Sequence, residues 1–299
     1  MRKLALLLLA IVAPALAQAA DRPRLNSAIA RLAAGEPALG AFSSVRDPLS
    51  ALGLARSRLD YVIIDMEHGP WNAETLRVMV SALRGADGRF AVAPLVRIPT
   101  DGDEVADNGW IVKQALDAGV FGIVVPHVDS PAEAAAAVAA IRYPQPKDSP
   151  APEPNGRRGW GPGFAAAAWG LEVPDYARRA DLWPLNPDGE LLLVVLIESR
   201  AAIAVAAEIL SVPGVGGGFI GPSDLHADMG FLAQTGVPEV EAAIQRALAA
   251  AKSVDVAIGI TTSPGDIRAR LDQGFRLPTL GADTGLSGGI EAALKAAGR

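Results

Sequence analysis

Eight short apolar runs, spread along nearly the whole chain, constrain its fold more than any other feature. They occupy residues 39–45, 61–66, 93–98, 122–127, 191–198, 217–221, 256–261 and 277–281. Their apolar residues are continuous rather than alternating, and several runs are rich in Val and Ile. Continuous runs of this length fit parallel strands buried on both faces. Ala-rich helical segments lie between many of them. Asn72 stands two residues before Glu74 at the start of 72–84, and Pro131 follows Asp129-Ser130 at the start of 132–142. Segments 200–210, 238–253 and 264–273 repeat the plan, with Pro238 and Pro264 near helix starts, where proline is well tolerated. The repeated strand–helix order predicts a (β/α)8 TIM barrel. A doubly wound open sheet is the alternative, but it does not usually need eight such units.

Two segments break the rhythm. Residues 100–110 are polar and acidic and would form a loop after the third strand. Residues 143–189 form a longer insert that opens with a Pro-rich stretch, 144–154. The first lies on the C-terminal side of a strand, the face where barrel enzymes do chemistry. Pro278 falls inside the eighth run, where its missing N–H is unusual.

The N-terminus reads as a separate element. Arg2 and Lys3 precede an apolar run over 4–12, and small residues over 15–20 follow it. A basic start, a short apolar stretch and an A-x-A cleavage site describe a secretory signal peptide. The expectation is a leader over 1–20, a single barrel domain over 21–299, and a periplasmic or secreted mature protein with no membrane attachment. Cleavage removes Arg2 and Lys3, leaving 25 basic against 33 acidic residues, a net charge of −8. That balance argues against nucleic acid or anionic lipid as a partner. There is no cysteine, so a metal site would use carboxylate, imidazole or water.

Polar residues gather where the apolar runs end. The second ends Asp65-Met66-Glu67-His68-Gly69-Pro70 and the third Val96-Arg97. The fifth ends Ile197-Glu198-Ser199-Arg200, and the sixth runs on through Gly221-Pro222-Ser223-Asp224. In a barrel these ends converge on one mouth. Each residue alone has an ordinary explanation. Glu198 could pair with Arg200 or cap the next helix, Asp224 could be a helix N-cap, His68 a structural histidine and Arg97 an ion-pair partner. Together, charged groups beside buried strands are costly unless paired or metal-bound, and their convergence points to a functional site. Gly221–Asp224 could also open a helix whose free N–H groups bind a carboxylate. Lys113, Lys147, Lys252 and Lys295 all fall away from strand ends, which disfavours a Schiff-base mechanism. His127 ends the fourth run and could face the mouth. Trp160 and Trp169 could line it or pack elsewhere.

These motifs, with Lys113-Gln114-Ala115-Leu116-Asp117-Ala118-Gly119, Arg142-Tyr143-Pro144, Arg158-Gly159-Trp160-Gly161 and Asp228-Met229-Gly230 in the same order, resemble the HpcH/HpaI aldolase/citrate lyase family, especially its 4-hydroxy-2-oxo-acid aldolase branch. The resemblance spans about residues 38–285. It implies a metal-dependent class II aldolase on a phosphoenolpyruvate/pyruvate-type barrel, with Glu198 and Asp224 as ligands of Mg²⁺ or Mn²⁺. Pyruvate or a close 2-oxo acid would chelate that metal and an aldehyde would be the second partner. Arg97 would stabilise the enolate oxygen, and His68 would act as base through a water. Gly221, Ser223 and Asp224 would bind the substrate, while Asp65 and Glu67 would orient the groups around it. The resemblance also implies that Asp117 serves a neighbouring subunit's site in a hexamer with exchanged C-terminal helices, here 284–299. The chain departs from the pattern at Leu196, where the branch often has glutamine, and in the length of two loops. Alternatives are a secreted metal and 2-oxo-acid binding protein without turnover, and a citrate-lyase-like carbon–carbon lyase.

Overall fold

The computed structural model describes residues 23–85, 87–282 and 289–299. The leader expected over 1–20 lies outside them, and among the described residues no helix is long and apolar enough to cross a membrane. Every one of the eight apolar runs contains a strand: β1 Gly40–Ser43, β2 Tyr61–Asp65, β3 Ala93–Arg97, β4 Gly122–Val125, β6 Leu191–Ile197, β7 Gly217–Ile220, β8 Ala257–Ile260 and β9 Thr279–Ala282. All pair in parallel, in the order β8-β7-β6-β4-β3-β2-β1-β9. A bridge between Thr261 and Thr279 brings the two ends together, with the Thr262 N–H donating to the Thr279 carbonyl at 2.8 Å. The result is a nearly closed barrel of eight strands, not an open sheet. Pro278 stands just before β9, where no ladder N–H is needed, and its carbonyl accepts from the Gly40 N–H.

Helices cover the barrel. Ahead of β1, α1 (Ser27–Ala33) crosses the N-terminal ends of the strands. The buried Asn26 caps it and donates to the carbonyls of Phe121 and Glu190, the residues before β4 and β6. The outer helices α2 (Pro48–Ala55), α3 (Ala73–Ala82), α4 (Gly109–Asp117) and α5 (Pro131–Ile141) follow β1 to β4 in turn. Asn72 caps α3 and Ser130 caps α5 with their side chains.

The 143–189 insert is not one long loop. It carries α6 (Gly163–Trp169), α7 (Val173–Arg179) and the short β5 (Leu182–Trp183), which pairs with β6. Trp169 stacks on Phe121 with centroids 4.2 Å apart, so these helices bury apolar surface of their own. The Pro-rich stretch is tied down by the fully buried Arg142, which binds Asp181 through two bonds of 2.7 and 2.9 Å and the Ala151 carbonyl.

Beyond β6, the expected helix over 200–210 is broken at Val205 into α8 (Arg200–Ala204) and α9 (Ala206–Leu210). Then come α10 (Pro222–Asp228), α11 (Pro238–Ser253) and α12 (Ile267–Gln273). The last described element is α13 (Gly289–Ala296), with Ile290, Ala293 and Leu294 buried, and Arg299 beyond it pairs with Asp60; residues 284–288 of the segment expected to exchange between subunits lie outside the described residues.

Candidate active site

The site grows from the register of β2 and β3. Asp65 and Arg97 are direct neighbours across that pair at its C-terminal end. Arg97 Nε and Nη2 donate to the two Asp65 carboxylate oxygens at 3.0 and 2.8 Å. Its Nη1 lies 2.7 Å from Glu67 Oε2. Its guanidinium also lies 5.1 Å from the centre of the Phe42 ring, which meets Phe219 edge-on. Arg97 is therefore an ion-pair partner, and a guanidinium offers five N–H donors. Its two carboxylate partners leave further donors for a substrate. Burial alone would make Arg97 easier to deprotonate, but Asp65, Glu67 and Glu198 raise its pKa above the ordinary value. Burial likewise opposes ionisation of Asp65, yet Arg97 holds its carboxyl below the usual range.

Glu198 follows β6, which is separated from β3 only by β4, and its side chain is 1% exposed. Neither of its ordinary explanations applies. Ser199 caps α8, and Arg200 pairs with Asp228 at the surface. Glu198 Oε1 instead accepts the His127 backbone N–H at 2.8 Å. Its Oε2 is buried with no hydrogen-bond partner. A Cβ built on Gly221 would lie 1.9 Å from that oxygen. Burial raises the Glu198 carboxyl to about 7, with Asp224 and Glu67 adding to the rise and His127 opposing it. Asp224 is not the N-cap of α10. That position belongs to Gly221, no side chain caps the helix, and Asp224 lies in its first turn.

A third side of the mouth was only partly expected. The loop after β3 is pressed onto the end of β4, with the Gly102 N–H donating to the Pro126 carbonyl at 3.0 Å. A Cβ on Gly102 would sit 2.7 Å from the His127 carbonyl oxygen, so the approach requires glycine. This brings Asp101 beside His127, and ligand atoms of Glu67, Asp101 and His127 lie within 4.8 Å of one another. His127 has φ of 48°, and its Nδ1 and Nε2 lie 3.4 Å from Glu198 Oε1 and 3.7 Å from Glu67 Oε1. Burial lowers its pKa, but Glu198, Asp101, Glu67 and Asp224 together raise it. Asp101 was missed in the sequence because it sits in an irregular loop with no periodicity to place it.

Other expected residues are less closely gathered. His68 is exposed, with its Nε2 3.9 Å from Glu67 Oε2. Asp117 ends α4, the helix returning from the mouth towards the N-terminal ends of the strands, where Arg158 donates to it at 2.8 Å. The structure does not bring it to this chain's own mouth. Trp169 belongs to the packed outer layer, with its indole N–H donating to the Gly119 carbonyl, while Trp160 is exposed beside Tyr143. Leu196 is buried opposite Phe219 in the β6–β7 register. A cleft of about 1130 Å³ lies between the Pro-rich stretch and α7, near Asp188 and Glu190 at the start of β6. None of the mouth residues lines it.

A nearly closed βα-barrel with carboxylates, a guanidinium and imidazoles at the C-terminal mouth is the architecture of a barrel enzyme. Residues 38–287 match the HpcH/HpaI aldolase/citrate lyase family, and the chain belongs to that family. It is 34% identical over 259 residues to a hydroxypyruvate/pyruvate aldolase of Roseovarius nubinhibens, covering 86% of this chain and 91% of that one. It is 35% identical over 262 residues to the 4-hydroxy-2-oxo-heptane-1,7-dioate aldolase of Escherichia coli, covering 87% and 90%. The crystal structure of a family member from Burkholderia cenocepacia superposes with a TM-score of 0.71 at 33% identity, covering 83% of this chain and 89% of that one.

Proposed function

We propose that this protein is a metal-dependent aldolase that cleaves or forms a 4-hydroxy-2-oxo acid, giving pyruvate or a close 2-oxo acid plus an aldehyde. The observation that carries the reading is Glu198, a sealed carboxylate with one oxygen that no protein group satisfies. An orphaned buried carboxylate oxygen, on a carboxyl whose pKa Asp224 helps to raise, fits a hard divalent ion such as Mg²⁺ or Mn²⁺. The relatives named as aldolases favour turnover over binding alone.

Glu198 and Asp224 would hold the ion, which when bound supplies Lewis-acid polarisation of the 2-oxo group. The start of α10, uncapped by any side chain, would present the Ser223 and Asp224 N–H groups to the substrate carboxylate. Gly221 leaves room for the Glu198 carboxylate to take its place. Arg97 would donate to the oxygen that becomes negative as the carbon–carbon bond breaks, held in position by Asp65 and Glu67. His68, near the mouth and exposed, would take the proton of the 4-hydroxyl through a water and return one to the enolate carbon. Asp117 would serve a neighbouring subunit in a hexamer. Export of the mature chain to the periplasm, after loss of a leader over 1–20, completes the reading.

Turnover of a 4-hydroxy-2-oxo acid should be abolished by chelator, restored by divalent metal and lost in Glu198→Ala and His68→Ala. Activity indifferent to both chelator and Glu198→Ala would refute the metal mechanism.

A further inference from the structure

Two arginines meet Asp65 at the mouth, and they are held in different ways. Arg97 spends much of its guanidinium on the Asp65 and Glu67 carboxylates. Arg46, in the loop after β1, donates through Nη1 to the Asp65 backbone carbonyl at 3.1 Å, and among the described residues it makes no ion pair. The adjacent Asp47 is occupied as the cap of α2, where its carboxylate accepts from the Leu49 and Ser50 N–H groups and the Ser50 hydroxyl. A guanidinium has five N–H donors, so most of those on Arg46 remain for another group.

Two features of the chain hold this guanidinium in place. Arg46 has φ of 51°, a left-handed conformation uncommon for a residue with a long side chain. Such conformations cost energy and cluster at ligand-binding sites. Gly69, directly after His68, leaves the space, since a Cβ there would lie 2.0 Å from Arg46 Nη1 and 2.4 Å from its Cζ. The Arg46 side chain is half-buried, neither sealed in the core nor free in solvent. With β8 and β9 drawn together, β1 and β6 are four strands apart in either direction, and β3 lies midway between them. Glu198 after β6, Arg97 at the end of β3 and Arg46 after β1 therefore follow one another from one side of the mouth to the other.

We propose that Arg46 sets the aldehyde specificity by binding a carboxylate carried by the aldehyde partner, so that the aldol is a dicarboxylate. In the reading above, Glu198, Asp224 and the start of α10 hold the 2-oxo acid end, and Arg97 meets the oxygen that becomes negative. The rest of the molecule, from C4 outwards, would extend to the β1 side, where Arg46 presents its N–H donors to the terminal carboxylate. The planar fork of a guanidinium matches the two oxygens of a carboxylate and gives an apolar end nothing to bind. Gly69 is what makes the position available, because any side chain there would displace the guanidinium.

This inference rests on the aldolase reading above, and one set of kinetics separates the two. The purified protein, loaded with Mn²⁺, is given pyruvate and one of four aldehydes. Glyoxylate and acetaldehyde share a two-carbon chain, 4-oxobutanoate and butanal a four-carbon chain, and each pair differs in a terminal carboxylate. The readout is the ratio of kcat/KM for the carboxylated aldehyde to that for its uncharged counterpart. Arg46→Asn, which retains a residue tolerant of positive φ, should lower that ratio about 10–100-fold in at least one pair, the scale of a lost hydrogen bond to a charged group. Arg46→Lys should recover part of the ratio. Gly69→Ala, which displaces the guanidinium but keeps its charge, should lower it too. A merely structural role for Arg46 would lower kcat/KM for both members of a pair together. Ratios unchanged in Arg46→Asn and Gly69→Ala overturn the inference and leave the aldolase intact. No aldol formed from any of the four aldehydes overturns both.

Discussion

Gly221 and Glu198 share a space that a single added carbon would fill, since a Cβ at 221 would meet Glu198 Oε2 at 1.9 Å. Glycine at that point is a condition for the carboxylate to occupy its place, not a matter of backbone freedom. Gly221→Ala should therefore displace Glu198 and weaken divalent-metal binding by about 10–100-fold, the range seen when the support of a metal ligand is lost. Metal titration of the variant, with circular dichroism to confirm an intact barrel, checks this.

Burial gives Glu198 a pH signature. Its carboxyl titrates near 7 in the folded chain, against a reference value of 4.5. The folded state holds the proton more tightly, so this group's contribution to stability is present below about 4.5 and is lost as pH rises through about 7. Chelator-treated wild type should lose melting temperature over that window relative to Glu198→Gln. Divalent metal added above pH 7 should restore it, because the ion replaces the proton. Parallel melting curves for the two proteins would show no such difference if the carboxyl is not perturbed.

Arg97 should not tolerate lysine. A lysine keeps the charge but cannot reproduce the fork that engages both Asp65 oxygens and Glu67 together. Arg97→Lys should lower kcat by about 100–1000-fold, the scale for losing a donor to a developing oxyanion. Metal affinity should change far less, and steady-state kinetics beside metal titration separates the two effects.

Asp117 lies away from its own mouth and is held by Arg158. If it serves a neighbouring subunit, Asp117→Asn and Glu198→Gln should each be nearly inactive alone. Co-assembled, they should recover turnover, because some mouths then receive both wild-type groups. Failure of the mixed assembly to recover activity would remove Asp117 from the mechanism.

The sequence by itself determined the barrel. Continuous apolar runs such as residues 191–198 can be buried on both faces only in a parallel sheet covered by helices, and the eight runs each yielded a strand. It also marked Arg97, Glu198, Asp224 and the Asp65–Glu67 segment, because charged residues at the ends of buried strands stand out against apolar neighbours. It did not predict the helices of the insert, whose stability comes from packing such as Trp169 on Phe121. Only the tertiary structure decided which ordinary explanations failed, by giving Ser199 the cap and Asp228 the Arg200 partner. Only it brought Asp101 to His127. That contact joins residues from two loops through a glycine pressed against a neighbouring backbone, and such an approach leaves no period in the sequence.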